Sequence, residues 1–599
     1  MRMKIKHIIQ NNFRALRIVQ QTTPSLFFVT LIKSVLLSTI DPLFTIWYFK
    51  YMIDAVVTNR PMQEILTITI IISLLVISKQ IFISWYNKSF FPLKSLLLRK
   101  KMRELLYKKL TEIDIANYDN NESYEKINRA MREVDGRPLA VFHTFFNIIE
   151  SSVILVTSLS IVLQIDLFIL LFSIVSLLVG ILFNIANNKT NYNFNMSQVS
   201  HNRKIDYVHR VLNLKDYSQD VRTSKIQVLL FDMMDKAFDG LKTSHRENKS
   251  KLMLYDVLPQ SITLLSTIIS IFYIIIRISL GQITVGSFAA LLNGSQSVTA
   301  TISGLFQFIP SFQQHSLYLD NIFEVLDRHK AIESGNRKII NDISMIEFKN
   351  VSFRYPNSEQ YVLRNISFKI KSGQKIGIVG HNGAGKSTLI KLLLRLYDPT
   401  EGEILLNNIN YREYDLNSLR KTIGAVFQNY FVYPFSVYEN VSLNHIDEKE
   451  KINIDLVLKE INLYEKIYGL DPEMRKQLSN EFEKGIELSR GEQQKLSIAR
   501  ILFNSAPIAI MDEPSSALDP ISETELVRLM FTRFKSNILF IVSHRLSTTR
   551  MCDNIIHLAN GTIVECGSHE QLMGLGGEYS KLFNLQAEHY IESSRKEEV

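Results

Sequence analysis

Long stretches of apolar residues in the first half of the chain restrict its fold more than any other feature. The runs "ILTITIIISLLVIS" and "SVILVTSLSIVLQIDLFILLFSIVSLLVGILF" exceed the usual length of a core segment. An apolar helix needs about 20 residues to cross a bilayer. Windows of that kind lie near 25–48, 64–86, 139–164, 167–187, 257–280 and 284–310. The sequence therefore predicts a membrane α-helical domain of six spans.

Two long polar segments, 87–138 and 188–256, separate pairs of these spans. The first is dense in cations, which favour the cytoplasmic side, and an even number of spans places both termini there too. Apolar periodicity predicts that the spanning helices continue into the cytosol and turn around near Asn117–Arg129 and Asp216–Ser224. The alternative is a pair of disordered loops. We expect a multi-pass protein of a bacterial plasma membrane, surrounded by lipid.

The formal charge of +9 could suggest nucleic acid as a partner. Lys and Arg crowded into cytoplasmic loops explain the charge more simply, so no nucleic acid is expected. The two cysteines, Cys552 and Cys566, indicate a reducing compartment rather than a disulfide framework. The basic N-terminus lacks the features of a signal peptide and is predicted to lie on the cytoplasmic face as an amphipathic segment.

The second half of the chain has the pattern of an α/β P-loop nucleotide-binding domain. The predicted boundaries are as follows: N-terminal segment 1–24, membrane domain 25–315, linker 316–345, nucleotide-binding domain 346–585 and charged tail 586–599.

A glycine-rich loop carries the strongest chemical signal in this half. The strand-like "QKIGIVG" leads into "GHNGAGKST" and then into the helical "LIKLLLRL", which is G-x-x-x-x-G-K-[ST] in its required context. Glycines let backbone N–H groups surround phosphate oxygens, Lys386 supplies a cation, and Ser387 offers a hydroxyl to Mg²⁺. The predicted ATP-binding residues of the loop are Gly380, Asn382, Gly383, Gly385, Lys386, Ser387 and Thr388.

Polar residues at the ends of apolar strands supply candidates for metal binding and catalysis. Asp512 ends "PIAIMD" and is predicted to bind the metal, while Glu513 would act as general base for an attacking water. His544, after "NILFIVS", would hold water and phosphate in line. Gln428 would join the metal and water shell, and Tyr355 would stack on adenine.

The heptapeptide "LSRGEQQ" stands at the start of an amphipathic helix. A Ser hydroxyl and free N–H groups at a helix N-terminus form an anion site. The alternative is an ordinary helix cap.

Taken in this order, Tyr355, the P-loop, Gln428, "LSRGEQQ", "IAIMDEPSSALD" and His544 resemble the motifs of the ATP-binding-cassette family. The resemblance covers the whole chain, since six spans ahead of one cassette correspond to a half-size exporter. It implies that Ser489 and Gly491 bind the γ-phosphate of an ATP held by the opposite cassette. The family pattern is usually L-S-G-G-Q-x-Q, so Arg490 and Glu492 depart from it.

The resemblance implies an ATP hydrolase coupled to transport, in which two cassettes close on two ATP molecules and turn a cavity outward. One chain has one cassette, so a second copy is expected as partner in a homodimer. The stretch "IANYDNNESYEKINRA" is similar to exporters of lantibiotics, which makes a peptide the expected cargo. A lipid flippase or a multidrug exporter of the same architecture is the alternative. A soluble cassette protein is excluded by the spans, and a peptide-cleaving cysteine protease domain by the lack of Cys before position 552.

Ionisable residues within the spans bear on the cargo. Asp41 and Glu150 are expected to face the interior, because an isolated carboxylate facing lipid is costly. Two copies of each would create a field suited to a cationic peptide. The alternative is that these acids pair with Lys33 or Lys79.

Overall fold

The structure is a computed structural model that describes residues 5–328, 330–338, 343–356, 358–479, 485–513, 520–543 and 545–586. The chain divides into two compact units. The first comprises 1–112 and 122–328, and the second comprises 113–121 and 329–599.

The first unit is helical, as its apolar runs predict. The helices of the chain up to residue 328, with α7 belonging to the second unit, are α1 (Ile5–Thr22), α2 (Pro24–Leu36), α3 (Ile40–Pro42), α4 (Phe49–Val57), α5 (Met62–Trp85), α6 (Phe91–Glu112), α7 (Ala116–Asp119), α8 (Asn121–Glu133), α9 (Arg137–Leu163), α10 (Ile169–Asn213), α11 (Ser218–Thr223), α12 (Ile226–Ser279) and α13 (Val285–Leu326).

Among the residues that the structure describes, five stretches of helix are long and apolar enough to cross a membrane. They are Pro24–Val57, Met62–Glu112, Arg137–Leu163, Ile169–Asn187 and Ile226–Ser279. The first joins α2, α3 and α4 through a 3₁₀ turn and a π-turn that flank Pro42, where the proline interrupts the regular hydrogen-bond ladder. Each of the first five windows predicted from the sequence overlaps one of these stretches.

The sixth predicted window, 284–310, forms most of α13 but is not among the apolar stretches. Its sequence is rich in Gly, Ser, Thr, Asn and Gln, which lowers its hydropathy. Gly286, Gly294 and Ser295 are among its buried residues, and a Cβ on Gly294 would lie 2.3 Å from a methyl carbon of Val162 in α9. Small residues of this kind let neighbouring helices approach closely within a membrane bundle. The polarity of α13 therefore reflects helix–helix packing.

The polar segments between spans are helical rather than disordered. Helices α10 and α12 run for 45 and 54 residues, far longer than a bilayer requires. They are joined by a short turn that includes α11, at the predicted position. The other turn lies at α7 and α8, also as predicted.

Helix α1 packs along α13 through polar contacts. Arg14 forms a two-pronged ion pair with Asp327, and Asn11 donates to the hydroxyl of Ser316 at 3.1 Å. Its opposite face exposes Ile5, Ile9 and Phe13, as an amphipathic helix would.

The second unit is the cassette, built on two sheets. Its strands are β1 (Met345–Phe353), β2 (Leu363–Lys371), β3 (Lys375–Val379), β4 (Glu401–Leu406), β5 (Ile409–Asn410), β6 (Ile423–Val426), β7 (Ile508–Asp512), β8 (Ile538–Val542), β9 (Asn554–Ala559) and β10 (Thr562–Gly567). An antiparallel sheet has the order β2-β1-β4-β5, and a larger sheet has the order β10-β9-β3-β8-β7-β6. In the larger sheet, β3, β6, β7, β8 and β9 are parallel.

The second unit also contains helices, several of which contribute to two hydrophobic cores. They are α14 (Lys386–Leu393), α15 (Leu416–Lys421), α16 (Val437–Ser442), α17 (Glu448–Glu460), α18 (Tyr464–Leu470), α19 (Arg490–Asn504), α20 (Pro520–Arg533), α21 (Leu546–Thr549) and α22 (His569–Leu575). Strands β3, β7 and β8 are buried along their whole length. Because they are parallel, their carboxyl ends meet at one edge, where the ligand site of such a sheet is expected.

Candidate functional site

The glycine-rich loop follows β3 and ends at the first residue of α14, as predicted. Gly380 and Gly385 have φ angles of +148° and +104°, a region that side chains other than glycine rarely adopt. A Cβ on Gly380 would lie 2.2 Å from the carbonyl oxygen of Leu558, and one on Gly385 would lie 2.6 Å from Leu363. The tight course of the loop therefore depends on these two glycines.

Lys386 is directed back over this loop. Its ammonium donates to the carbonyl oxygens of Gly380 at 2.7 Å and His381 at 3.1 Å. Burial lowers the pKa of Lys386, while the carboxylates of Glu513 and Asp512 oppose that shift. A cation beside a glycine-rich loop at the start of a helix matches a nucleotide phosphate in charge.

Asp512 is the last residue of β7 and is 8% exposed. Burial, reinforced by the negative charge of Glu513, raises the pKa of Asp512 to about 6. The charge of Lys386 acts in the opposite direction. A carboxylate that is costly to ionise in this way would gain from a divalent cation beside it.

Glu513 turns away from the strand in a left-handed conformation, with a φ of +53°. Its N–H donates to the carbonyl oxygen of Val542 in β8 at 2.9 Å, which fixes the turn. Its carboxylate accepts from the amide of Gln428 at 2.8 Å. The structure thus brings together two residues, 85 positions apart, that the sequence predicted to act on the same water and metal.

Gln494 is a member of this group that sequence reasoning did not identify. It belongs to α19, is 1% exposed, and its amide lies 3.3 Å from the carbonyl oxygen of Glu513. The signal that could have revealed it is a glutamine on the apolar face of an amphipathic helix. Through Gln494, the helix that carries "LSRGEQQ" reaches the backbone of the predicted general base.

Tyr355 lies against the first turns of α14. Its hydroxyl is 3.0 Å from the hydroxyl of Thr388, and its ring packs edge-on against Tyr397. The ammonium of Lys391 lies 5.2 Å from the centre of the Tyr355 ring. An aromatic ring beside the phosphate loop is positioned for stacking on a base.

Ser489 caps α19, and both Ser489 and Arg490 are exposed. The hydroxyl of Tyr430 donates to the carbonyl oxygen of Arg490 at 2.9 Å. Burial raises the pKa of Tyr430, and the nearby Arg490 guanidinium partly offsets that rise. The backbone of Arg490 is therefore bound to Tyr430, in the segment that follows Gln428.

The residues present suit Mg²⁺. Within the described ranges, no three His, Cys, Asp or Glu side chains form a metal cage. Mg²⁺ fits this situation, because it typically binds one or two protein oxygens, with water and nucleotide phosphates as its other ligands. Asp512, Ser387 and Gln428 each carry a side-chain oxygen that could serve as a protein ligand. His544 lies outside the described residues.

The acids of the membrane unit are paired rather than isolated. Glu150 lies 3.3 Å from the ammonium of Lys33, and Asp41 forms an ion pair with Lys79. The structure therefore shows the pairing alternative, and each pair is neutral overall. An acidic cavity formed by Asp41 and Glu150 is not what the structure presents.

Comparison with known proteins agrees with this architecture. Residues 363–516 match the family model described as ABC transporter. The subtilin transport ATP-binding protein SpaT of Bacillus subtilis is 29% identical over 586 residues, 95% of this chain and 93% of that protein. The ATP-dependent lipid A-core flippase of Haemophilus ducreyi is 32% identical over 305 residues, 51% of this chain and 52% of the flippase. The solved structure of a bacterial Atm1-family ABC exporter with ATP bound superposes with a TM-score of 0.77. It covers 95% of this chain and 98% of that chain at 22% identity, so this likeness concerns the fold.

Proposed function

Because the chain belongs to the ATP-binding-cassette transporter family and is an ATP-driven exporter, we propose that its cargo is a peptide of the lantibiotic class. The peptide would be carried from the cytoplasm to the outside of the cell by alternating access. The cassette would lie in the cytoplasm with both termini.

The main support for a peptide is the extent of the likeness to SpaT, which includes the membrane helices where cargo would be bound. The Haemophilus ducreyi flippase has a higher identity but matches over about half of each chain. A lipid A-core flippase of Francisella tularensis matches 81% of this chain at 27% identity, which is less than SpaT in both coverage and identity. Cassettes share their chemistry whatever the cargo, so likeness that includes the membrane half carries more information about cargo. Lipid export is the second candidate.

The cassette residues divide the work of hydrolysis. Backbone N–H groups of the loop and Lys386 would bind the β and γ phosphates, and Ser387, Asp512 and Gln428 would hold Mg²⁺. Bound there, Mg²⁺ would neutralise charge on the phosphates. Glu513, oriented by Gln428, would accept the proton of the attacking water. His544 follows β8, which lies between β3 and β7, and is proposed to contact the γ-phosphate.

A homodimer would complete the site. The chain has one cassette, and Ser489 and Gly491 would bind the ATP held by a second copy. A twofold axis then generates two equivalent sites, each using the loop of one chain and the helix N-terminus of the other.

Mixed chains test the homodimer. Lys386→Ala and Ser489→Arg should each abolish ATPase activity when expressed alone, since every site lacks one component. Co-expressed with separate affinity tags, the two chains form one mixed dimer with an intact site, and purification on both tags should recover activity well above either parent. If the mixed dimer is as inactive as its parents although each variant binds its partner, the shared-site arrangement is wrong.

Transport in proteoliposomes tests the cargo. Protein whose ATP sites face the external medium should move a labelled lanthionine peptide into the vesicle lumen on addition of Mg·ATP, and Glu513→Gln should not. A fluorescent phospholipid in the same vesicles provides the competing measurement. ATP-dependent movement of the lipid without movement of the peptide would favour the flippase.

A further inference from the structure

The signature segment, defined here as Leu488–Gln494, contains an acid at a place where an anion is to be bound. Glu492 lies in the first turn of α19, three residues after the capping Ser489. Its carboxylate accepts from the N–H of Ser489 at 2.8 Å. A carboxylate in this position stabilises the helix start, because it satisfies an orphan donor and complements the helix dipole. The same negative charge opposes the approach of a phosphate to Ser489.

Lys466 compensates the negative charge of Glu492. It belongs to α18 and forms an ion pair with Glu492, although the two residues are 26 positions apart. Burial by itself would raise the pKa of Glu492, but hydrogen bonds from Lys466 and Ser489 outweigh it and hold the pKa below its usual value. The acid is therefore ionised and the pair is neutral.

The helix that presents Lys466 is firmly placed. Leu463 and Ile467 on either side of it are each 1% exposed. They pack in the same hydrophobic core as Leu488 of the signature segment and Leu496 of α19. Lys466 itself keeps its ammonium at the surface, with about half of its side chain exposed. The common core fixes the distance between α18 and α19, so the pair forms without ordering a loop.

We propose that Lys466 is a positioning residue for ATP hydrolysis, which holds Glu492 against the backbone of Ser489 and cancels its charge so that the signature segment can receive the nucleotide phosphates of a second copy. This inference rests on the homodimer proposed above. It does not depend on the identity of the cargo, because basal ATPase activity is the measurement.

A double-mutant cycle in the full-length protein in nanodiscs measures the coupling between Lys466 and Glu492. Lys466→Met keeps the aliphatic stem and removes the charge, leaving Glu492 uncompensated. Glu492→Gln keeps an acceptor for the Ser489 N–H and removes the charge that Lys466 opposes. The two single variants and the double variant are compared by the KM for ATP and by kcat.

Lys466→Met should raise the KM for ATP about three- to tenfold, the size expected for one partly screened charge near a polyphosphate. The kcat should change less than about twofold. In the Glu492→Gln background, Lys466→Met should change the KM less than about 1.5-fold. Raising the salt concentration should shrink the effect of Lys466→Met, because screening weakens a surface charge.

Lys451→Met is the matched control. Lys451 also pairs with an acid near the start of a helix, Glu448, but in α17. The Lys451→Met variant should leave the KM for ATP unaltered. A KM that stays at the wild-type value in Lys466→Met, or rises equally in both backgrounds, would overturn the proposal and leave Lys466 with a purely structural role.

A lower melting temperature shared by Lys466→Met and the double variant would likewise indicate packing rather than charge. The homodimer proposal is judged separately by the mixed-chain experiment. An intact mixed-dimer result together with an unchanged KM would reject only the role of Lys466.

Discussion

At the scale of single residues, Glu513 is held at two points, by Val542 through its N–H and by Gln428 through its carboxylate. Glu513→Gln keeps an oxygen that can accept from Gln428 but loses the base. We expect ATP turnover to fall by a factor of about 10² to 10⁴, with ATP binding retained. Turnover in nanodiscs and binding of a fluorescent ATP analogue measure the two effects. Near-normal turnover would exclude Glu513 as the base.

Asp512 predicts a dependence of stability on pH. Its pKa is about 6 in the folded protein, against an ordinary value of 3.8, so the folded state binds protons more readily than the unfolded state in this interval. Stability must then decrease as the pH rises from about 4 to 6, and stay lower above that interval. Replacing Asp512 by Asn removes the cost of about 2–3 kcal/mol, from about 1.4 kcal/mol per unit of pKa.

Asp512→Asn should therefore raise the melting temperature of the nucleotide-free protein most at pH 8, and roughly a third as much at pH 4.5. It should also abolish Mg²⁺-dependent hydrolysis. Asp232→Asn, at an exposed residue of α12, is the control and should show no such contrast. An equal shift at both pH values would mean that the charge of Asp512 is not what destabilises the site.

The residues that sequence reasoning identified are those whose chemistry is tied to local context. Gly380 and Gly385 can be recognised in the sequence because only glycine tolerates their backbone conformation, and Lys386 follows them at a fixed spacing. The contacts of Gln494 and Lys466 could not be predicted, because their partners are set by how separate elements pack. For Glu150, the sequence offered pairing with Lys33 or Lys79 as an alternative, but the choice of Lys33, 117 residues away, depends on how the helices pack.

At the scale of secondary-structure elements, the short helix α7 belongs to the same compact unit as the cassette. Its last residue, Asp119, accepts from the hydroxyl of Tyr397 and lies 3.9 Å from the ammonium of Lys391. Both of these residues contact the ring of Tyr355. A change in α7 can therefore reach the proposed adenine platform through two contacts.

We expect Asp119→Ala to reduce the stimulation of ATPase by transported peptide about two- to fivefold while basal turnover stays within twofold. Tyr397→Phe removes the same hydrogen bond, so the double variant should be no worse than the more impaired single variant. Glu122→Ala, three residues further along and mostly exposed, is the control. Additive losses, or full stimulation in Asp119→Ala, would show that α7 does not act through Tyr397.

The same scale shows where periodicity succeeds and where hydropathy does not. Helical periodicity predicted that α10 and α12 continue beyond the spans, because their apolar residues repeat at helical spacing. Hydropathy alone treats α13 differently from the other spans, since packing against α9 favours small and polar residues such as Gly294 and Ser295. The structure nevertheless confirms that α13 is a helix over Val285–Leu326.

At the scale of the whole molecule, variants of the ion pair between Lys33 and Glu150 can separate an effect on folding from an effect on cargo recognition. Glu150→Gln leaves an unpaired ammonium in a spanning helix, which is costly. We expect a several-fold loss of folded protein, measured by size-exclusion chromatography, and recovery in the Lys33→Met/Glu150→Gln double variant. Normal folding combined with lost stimulation by a cationic peptide would instead mean that Glu150 senses the charge of the cargo.

The length of helix α12 and the proline inside it determine how far a small movement in the membrane is transmitted. Its 54 residues extend about 80 Å at the rise of an α-helix, whereas the apolar layer is about 30 Å thick. Pro259 lies inside the helix, where it removes one backbone hydrogen bond and weakens resistance to bending. The arm from Pro259 to Ile226 is about 50 Å long, so a bend of about 10° would sweep its tip by about 9 Å. A bend at Pro259 would thus convert a slight rearrangement among the spans into a displacement of roughly one and a half helical turns at the far end of the helix.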